Sequence, residues 1–253
     1  MTSQTTGFKS EPCWCGFLRS LLFNVAFFGW TFVYGIAAVP FLLMPRGMAF
    51  AVARFWNRSV MTLVRTTAGI DVEIRGRDFL PHRPAILAVK HQSAFETLAL
   101  PLILDDPLFV VKRELFWIPL FGWYLARLGN IGIDRSAGPS ALKAIVREAK
   151  AALTAGHSVI IFPEGTRVAP GQTRSYGPGV AALYGLLDAP VVPVALNSGL
   201  FWGRRRFGKR PGTAVIEFLA PIAPGLDRHQ FLAELQNRIE AATARLIAEA
   251  TRT

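Results

Sequence analysis

From Ser20 to Met44 the chain runs for 25 residues without one charged side chain. Such a run must be hidden from water by protein or by lipid. A helix needs about 20 apolar residues to cross a hydrocarbon core, and this run is long enough. Trp14 and Trp30 suit headgroup depth, and Gly29, Gly35 and Pro40 suit bends. Two other readings fit the same residues. A cleaved signal peptide would use Lys9 and Arg19 as its basic start and Ala51-Val52-Ala53 as its cleavage site, but its apolar core would exceed the usual ~7–15 residues. A buried helix of a soluble core is the other. The expected placement is a bilayer, either as a span or as an insertion into one leaflet.

The following stretch, Gly47 to Ile70, changes character. Val52, Phe55, Trp56, Val60, Leu63 and Val64 recur at three- and four-residue spacing, with Arg54, Arg58 and Arg65 between them. That spacing predicts a basic amphipathic helix, suited to a membrane surface or to the protein core. More basic residues follow the apolar run than precede it, which predicts a cytoplasmic location for what comes next. In a bacterial cell this means the inner membrane. The chain is therefore expected to divide into membrane-associated helices over 1–70 and a domain over 71–253.

Past residue 70, apolar β-rich runs appear at 85–90, 107–112, 158–163, 190–196 and 213–219. Helical patterns fall at Ala94–Leu104, Pro139–Thr154, Pro178–Leu187 and His229–Ala250. Alternation of this kind predicts an α/β fold, a mostly parallel sheet flanked by helices. With 51% hydrophobic and 18% charged residues, the chain is not disordered. Two cysteines exclude a disulfide framework and a Cys-built zinc site. The net charge of +11 comes with no helix-turn-helix or aromatic-interleaved RNA motif, so nucleic acid is not the expected partner. GxSxG, HExxH, Walker A and GxGxxG are all missing.

Three segments carry candidate chemistry. In Lys90-His91-Gln92-Ser93-Ala94-Phe95-Glu96, a histidine ends a buried strand and a carboxylate follows five residues later. On one continuous helix the two would diverge by about 140°. They meet only if His91 sits in the turn before the helix and Glu96 in its first turns. The carboxylate would then hold Nδ1–H and leave Nε2 as a base, a triad without its serine, the hydroxyl coming from the substrate. The second segment, Phe162-Pro163-Glu164-Gly165-Thr166-Arg167, follows an apolar strand. Open α/β sheets build sites at such strand ends, and the Arg167 fork suits phosphate. The third, Lys112 to Arg135, places cations around an aromatic middle, which suits a phosphate head and a fatty tail.

In this order, with VVPVALNSG after them, the segments resemble the glycerophospholipid acyltransferase family over about residues 70–220. The resemblance is greatest to the branch that acylates lysophosphatidic acid to phosphatidic acid. It implies that His91 deprotonates the acceptor hydroxyl while Glu96 orients the ring. It implies that Lys112 and Arg167 bind the acceptor phosphate; Arg135 fits as a second contact or a structural cation. Glu164, Gly165 and Thr166 carry over as acceptor-site residues, and Pro193 as part of the acyl-chain side. The implied donor is an acyl thioester of acyl carrier protein or coenzyme A. No metal or cofactor is implied. The family motif ends in Asp where this chain has Glu96, one methylene longer. Acylation of another lyso-lipid, or lipid binding without catalysis, are the competing expectations. A basic run, Arg204, Arg205, Arg206, Lys209 and Arg210, suits anionic headgroups, an acidic carrier protein or a solvated loop alike.

Overall fold

The computed structural model describes residues 13–134 and 137–252. Arg135 and Lys9 lie outside the described residues. Helix α1, Cys13–Ala37, contains most of the charge-free run. A 3-10 turn, Val39–Leu43, with Pro40 at its start, turns the chain into α2, Arg46–Leu63. The two helices are antiparallel. Tyr34 Oη donates to Val52 O at 2.8 Å, Trp30 Nε1 to Ser59 Oγ at 2.6 Å, and Arg19 Nε to Thr67 O at 3.4 Å. Phe23 of α1 and Val60 of α2 are fully buried in the main core. The outer face of α1 has no such cover: Trp14, Phe28 and Phe32 are 77%, 66% and 64% exposed.

The expected helix through Ile70 stops earlier. A single π-helical turn, Val64–Ala68, ends at Gly69, whose φ of 68° is left-handed. Such a residue terminates a helix and lets the chain leave in a new direction. Ile70 instead opens β1, Ile70–Arg75.

Six more strands follow: β2 Ile86–Val89, β3 Leu108–Lys112, β4 Ile131–Ile133, β5 Val159–Ile161, β6 Val191–Leu196 and β7 Gly212–Phe218. Their order in the sheet is β1-β7-β6-β2-β5-β3-β4. All neighbours are parallel except β6 and β7. The five central runs predicted from apolar, β-branched sequence are therefore strands. β1 and β4 were not signalled. β1 alternates apolar and charged residues at a sheet edge, and β4 has only three residues.

Helices α3, Phe95–Ile103, α4, Phe121–Arg127, α5, Pro139–Thr154, α6, Pro178–Leu186, and α7, Arg228–Arg252, complete the fold. Successive strand residues point to opposite faces. In β2, Leu87 and Val89 join the core shared with α2 and α3, while Ile86 and Ala88 join the core shared with α5, α6 and α7. Burial on both faces explains why the central strands are continuously apolar.

The sheet edge is fixed by a close approach. Gly76, at φ 65°, follows β1, and a Cβ there would run into the carbonyl of Phe218 in β7. Gly76→Ala is expected to cost about 2–4 kcal/mol from left-handed strain and overpacking together. The melting temperature should fall by roughly 5–15 °C. A fall of less than about 2 °C would show that the edge yields freely.

Candidate active site

The five strands β6, β2, β5, β3 and β4 are mutually parallel, so their C-terminal ends share one edge of the sheet. β2 lies between β5 and β6, and His91 leaves its end. The turn at 91–94 precedes α3, and Glu96 lies in the first turn of that helix. His91 Nδ1 and Glu96 Oε1 are 2.8 Å apart. Oε1 also accepts the backbone N–H of Gln92 and of Ser93, each at 2.7 Å. Oε2 accepts Ser198 Oγ–H at 2.7 Å. The carboxylate is fully buried and accepts four hydrogen bonds. Because an ionised carboxylate only accepts, His91 donates from Nδ1 and carries its free lone pair on Nε2. Glu96 thus also satisfies two backbone donors of the turn ahead of α3.

The imidazole is stacked on Phe162, with ring centroids 3.9 Å apart and planes at 19°. The stack opposes rotation that would take Nδ1 away from Glu96. The backbone of His91 is held as well. Its N–H donates to Glu164 Oε2 at 3.0 Å, and its carbonyl accepts Val168 N–H at 2.8 Å.

Glu164 therefore faces the interior, while Thr166 and Arg167 are partly exposed. Gly165, at φ 68°, stands between them. Thr166 and Arg167 line a cleft of about 670 Å³ between the chain after β5 and the chain after β6. Burial lowers the proton affinity of Arg167, and the facing Arg204 lowers it further, while Glu96 acts in the opposite sense. Lys112 is exposed at the end of β3 and level with Lys90 in the strand register. Two strand spacings place it roughly 10 Å from the end of β2. Pro193 is buried in β6, level with Ala88, roughly 10 Å below His91 along the strand. The structure thus joins His91 to Glu96, sets Arg167 and Thr166 in an adjoining cleft, turns Glu164 inward, and leaves Lys112 and Pro193 apart from them.

A buried ionic cluster lies beneath the histidine. Lys90 Nζ donates to Glu164 Oε1 at 2.6 Å and to Glu240 Oε1 and Oε2 at 2.7 and 2.9 Å. Tyr176 Oη–H donates to Glu240 Oε1 at 3.0 Å. The side chains of Lys90 and Glu164 are wholly shielded from solvent. Burial pushes the Glu164 carboxyl up, while Lys90 and the His91 N–H pull it back. Burial, and then the Glu240 charge, raise the Tyr176 phenol, keeping it a neutral donor. Ser198, Phe162 and Lys90 were within the segments read from the sequence, but their contacts were not. Glu240 and Tyr176 carry no sequence signal, since one of three acids in a helix and one tyrosine in a loop have no pattern.

A family model described as Acyltransferase matches residues 71–197. The chain is 35% identical over 236 residues to the 1-acyl-sn-glycerol-3-phosphate acyltransferase of Pseudomonas aeruginosa, covering 92% of this chain and 91% of that one. The chain belongs to the acyltransferase family. A mouse 1-acyl-sn-glycerol-3-phosphate acyltransferase alpha is 28% identical over 218 residues, 83% of this chain and 74% of its own. The fold of this acyltransferase is also that of the crystal structure of the 1-acyl-sn-glycerophosphate (LPA) acyltransferase PlsC from Thermotoga maritima. That match has a TM-score of 0.76 at 21% identity and covers 91% of this chain and 97% of the other.

Lys90→Met removes the cation between two carboxylates. Leaving buried acids unpaired should cost the acyltransferase about 3–5 kcal/mol in denaturant unfolding. A loss below about 1 kcal/mol would show that the cluster does not depend on the Lys90 charge.

Proposed function

We propose that this acyltransferase moves a fatty acyl group from a thioester to the free hydroxyl of 1-acyl-glycerol-3-phosphate, forming phosphatidic acid for phospholipid synthesis. The observation that carries the reading is the 2.8 Å contact of His91 Nδ1 with the buried Glu96 carboxylate, which leaves Nε2 as a base at the sheet edge. Nε2 takes the proton of the acceptor hydroxyl as that oxygen attacks the thioester carbonyl. Glu96 stabilises the imidazolium so formed. The tetrahedral intermediate collapses, the carbon–sulfur bond breaks, and the imidazolium returns its proton to the departing sulfur. The products are phosphatidic acid and a free thiol. The nucleophile belongs to the substrate, so the site needs no serine of its own.

Arg167 and Thr166 bind the phosphate in the adjoining cleft, and Lys112 contributes from the far side of β5. Arg135, which follows β4 in the sequence, is the second contact to the phosphate. Gly165 and Glu164 shape the cleft from behind, Glu164 by fixing the His91 backbone. Pro193 belongs to the wall on the acyl side. The donor is an acyl-carrier-protein or coenzyme A thioester. The longer Glu at position 96, the one sequence ground for a lapsed enzyme, reaches the imidazole without loss of its other partners.

The chain works on an anionic membrane, the bacterial inner membrane, with its sheet domain on the cytoplasmic face. α1 is long and apolar enough to cross a bilayer. Yet it touches the rest of the protein from Arg19 to Gly35, where Tyr124 Oη donates to Gly35 O at 2.8 Å. Contact along that whole length favours seating its outer face in one leaflet.

His91→Ala should lower phosphatidic acid formation by about 10³-fold or more. Glu96→Ala should lose most of the activity and Glu96→Asp keep a substantial part. Near-normal turnover in His91→Ala would remove this mechanism. Transfer by the unaltered chain only to an unphosphorylated lyso-lipid would move it to another acceptor. Replacing Phe28 and Phe32 together by Glu should release the chain from sedimented membranes. Undiminished retention would place the contact elsewhere.

A further inference from the structure

Five arginines line the cleft beside His91. Arg167 and Arg174 come from the chain after β5, and Arg204, Arg206 and Arg210 from the chain after β6. No Asp or Glu lines it among the described residues. Like charges held this close repel one another, and the crowding shows on Arg167, where Arg204 and Arg205 both oppose its protonated form. A single phosphate contact does not require so many cations.

The loop at 203–210 is nevertheless held in place. Lys209 N donates to Ser20 Oγ of α1 at 2.9 Å, and Asn24 Nδ2 donates to Phe207 O at 3.2 Å. Lys209 Nζ donates to the carbonyls of Arg206 and Phe207 at 3.1 and 2.8 Å, and stands 5.4 Å from the ring centroids of both Phe23 and Trp202. The repulsion is therefore built into the folded protein before any ligand arrives, and an anion relieves it without the loop having to be ordered first.

We propose that this cleft reads the charge of the acceptor headgroup, with Arg174, Arg204, Arg206 and Arg210 selecting a phosphomonoester over a phosphodiester that carries an ammonium group. The inference rests on the acyl-transfer reading above. A phosphomonoester brings a charge of about −1.5 to −2 and three strong acceptor oxygens at neutral pH. Planar guanidinium forks match those oxygens two at a time. An ethanolamine or choline headgroup brings one phosphate charge and a cation. The cation would enter a cleft with five arginines, no carboxylate, and Phe201 as its one aromatic lining residue. Rejection by repulsion and selection by attraction then act in the same direction. Because the loop is mounted on α1, the arginines stand where a lipid drawn from beside that helix presents its headgroup.

The test uses the full chain in mixed micelles. The acceptors are 1-acyl-glycerol-3-phosphate and 1-acyl-glycerophosphoethanolamine, each offered coenzyme A and acyl-carrier-protein thioesters. The variants are Arg204→Gln, Arg206→Gln and Arg210→Gln, singly and together, with their Lys counterparts. Arg147→Gln, an exposed arginine on α5, controls for net charge. The unaltered chain should prefer the phosphomonoester at least 100-fold in kcat/KM. Each Gln variant should raise the apparent KM for the phosphomonoester roughly 10-fold, and the triple variant 100-fold or more, with kcat little changed. The Lys variants should fall between, the ethanolamine acceptor should be used no worse, and Arg147→Gln should match the unaltered chain. An unchanged KM overturns the inference. So does an equal loss on both acceptors, which would make the loop a support for the fold. A loss confined to the carrier-protein donor also overturns it and assigns the loop to an acidic carrier protein. If the unaltered chain acylates neither acceptor, the acyl-transfer reading fails and the inference falls with it. If the chain acylates the phosphomonoester but the variants behave normally, the inference alone fails.

Discussion

The Glu96 carboxylate is the point on which the sheet edge around His91 is assembled. It is fully buried, and its two oxygens accept from the His91 ring, the backbone of Gln92 and Ser93, and the Ser198 hydroxyl. Those donors come from the turn between β2 and α3 and from the chain after β6. A buried charge is tolerated only when its acceptor sites are filled, so the residues that satisfy Glu96 are drawn to one place. The same bonds that neutralise its desolvation cost fix the histidine tautomer. Fold and chemistry are here the same set of contacts.

A second carboxylate takes the complementary task. Glu96 holds the imidazole, and Glu164 holds the main chain from which the imidazole projects. Glu164 is itself held by Lys90, and Lys90 by Glu240 of α7. With Phe162 stacked beneath the ring, His91 is restrained at its amide, its Nδ1 and its face. The proposed role of His91 as proton acceptor calls for such restraint, because misplacement by about 1 Å can cost a factor of 10² in rate.

Much of this was legible in the sequence, for identifiable reasons. The central strands are apolar on both faces, so their runs stood out. The His91–Glu96 spacing admitted contact across a turn and not along one helix, which fixed where the turn had to be. β1 was missed because its charged residues face solvent at an edge, and β4 because three residues carry no period. The hydrophobic periodicity after the apolar run persists to Ile70, whereas the left-handed Gly69 is a backbone event that such a pattern does not record. Glu240 was hidden for a different reason. Its partner is 150 residues away, and nothing local distinguishes it from the surface acids of the same helix.

That separation has a consequence for how the protein is made. Synthesis at about 5–20 residues per second puts roughly 8–30 s between the emergence of Lys90 and that of Glu240. Glu164 emerges about half-way through that interval, and until its end Lys90 lacks its second counter-charge and the α5–α6 face of the sheet lacks α7. The nascent chain thus holds its apolar α1 ready long before the sheet edge around His91 is locked, and the order of events is written into where the last acid of the cluster stands.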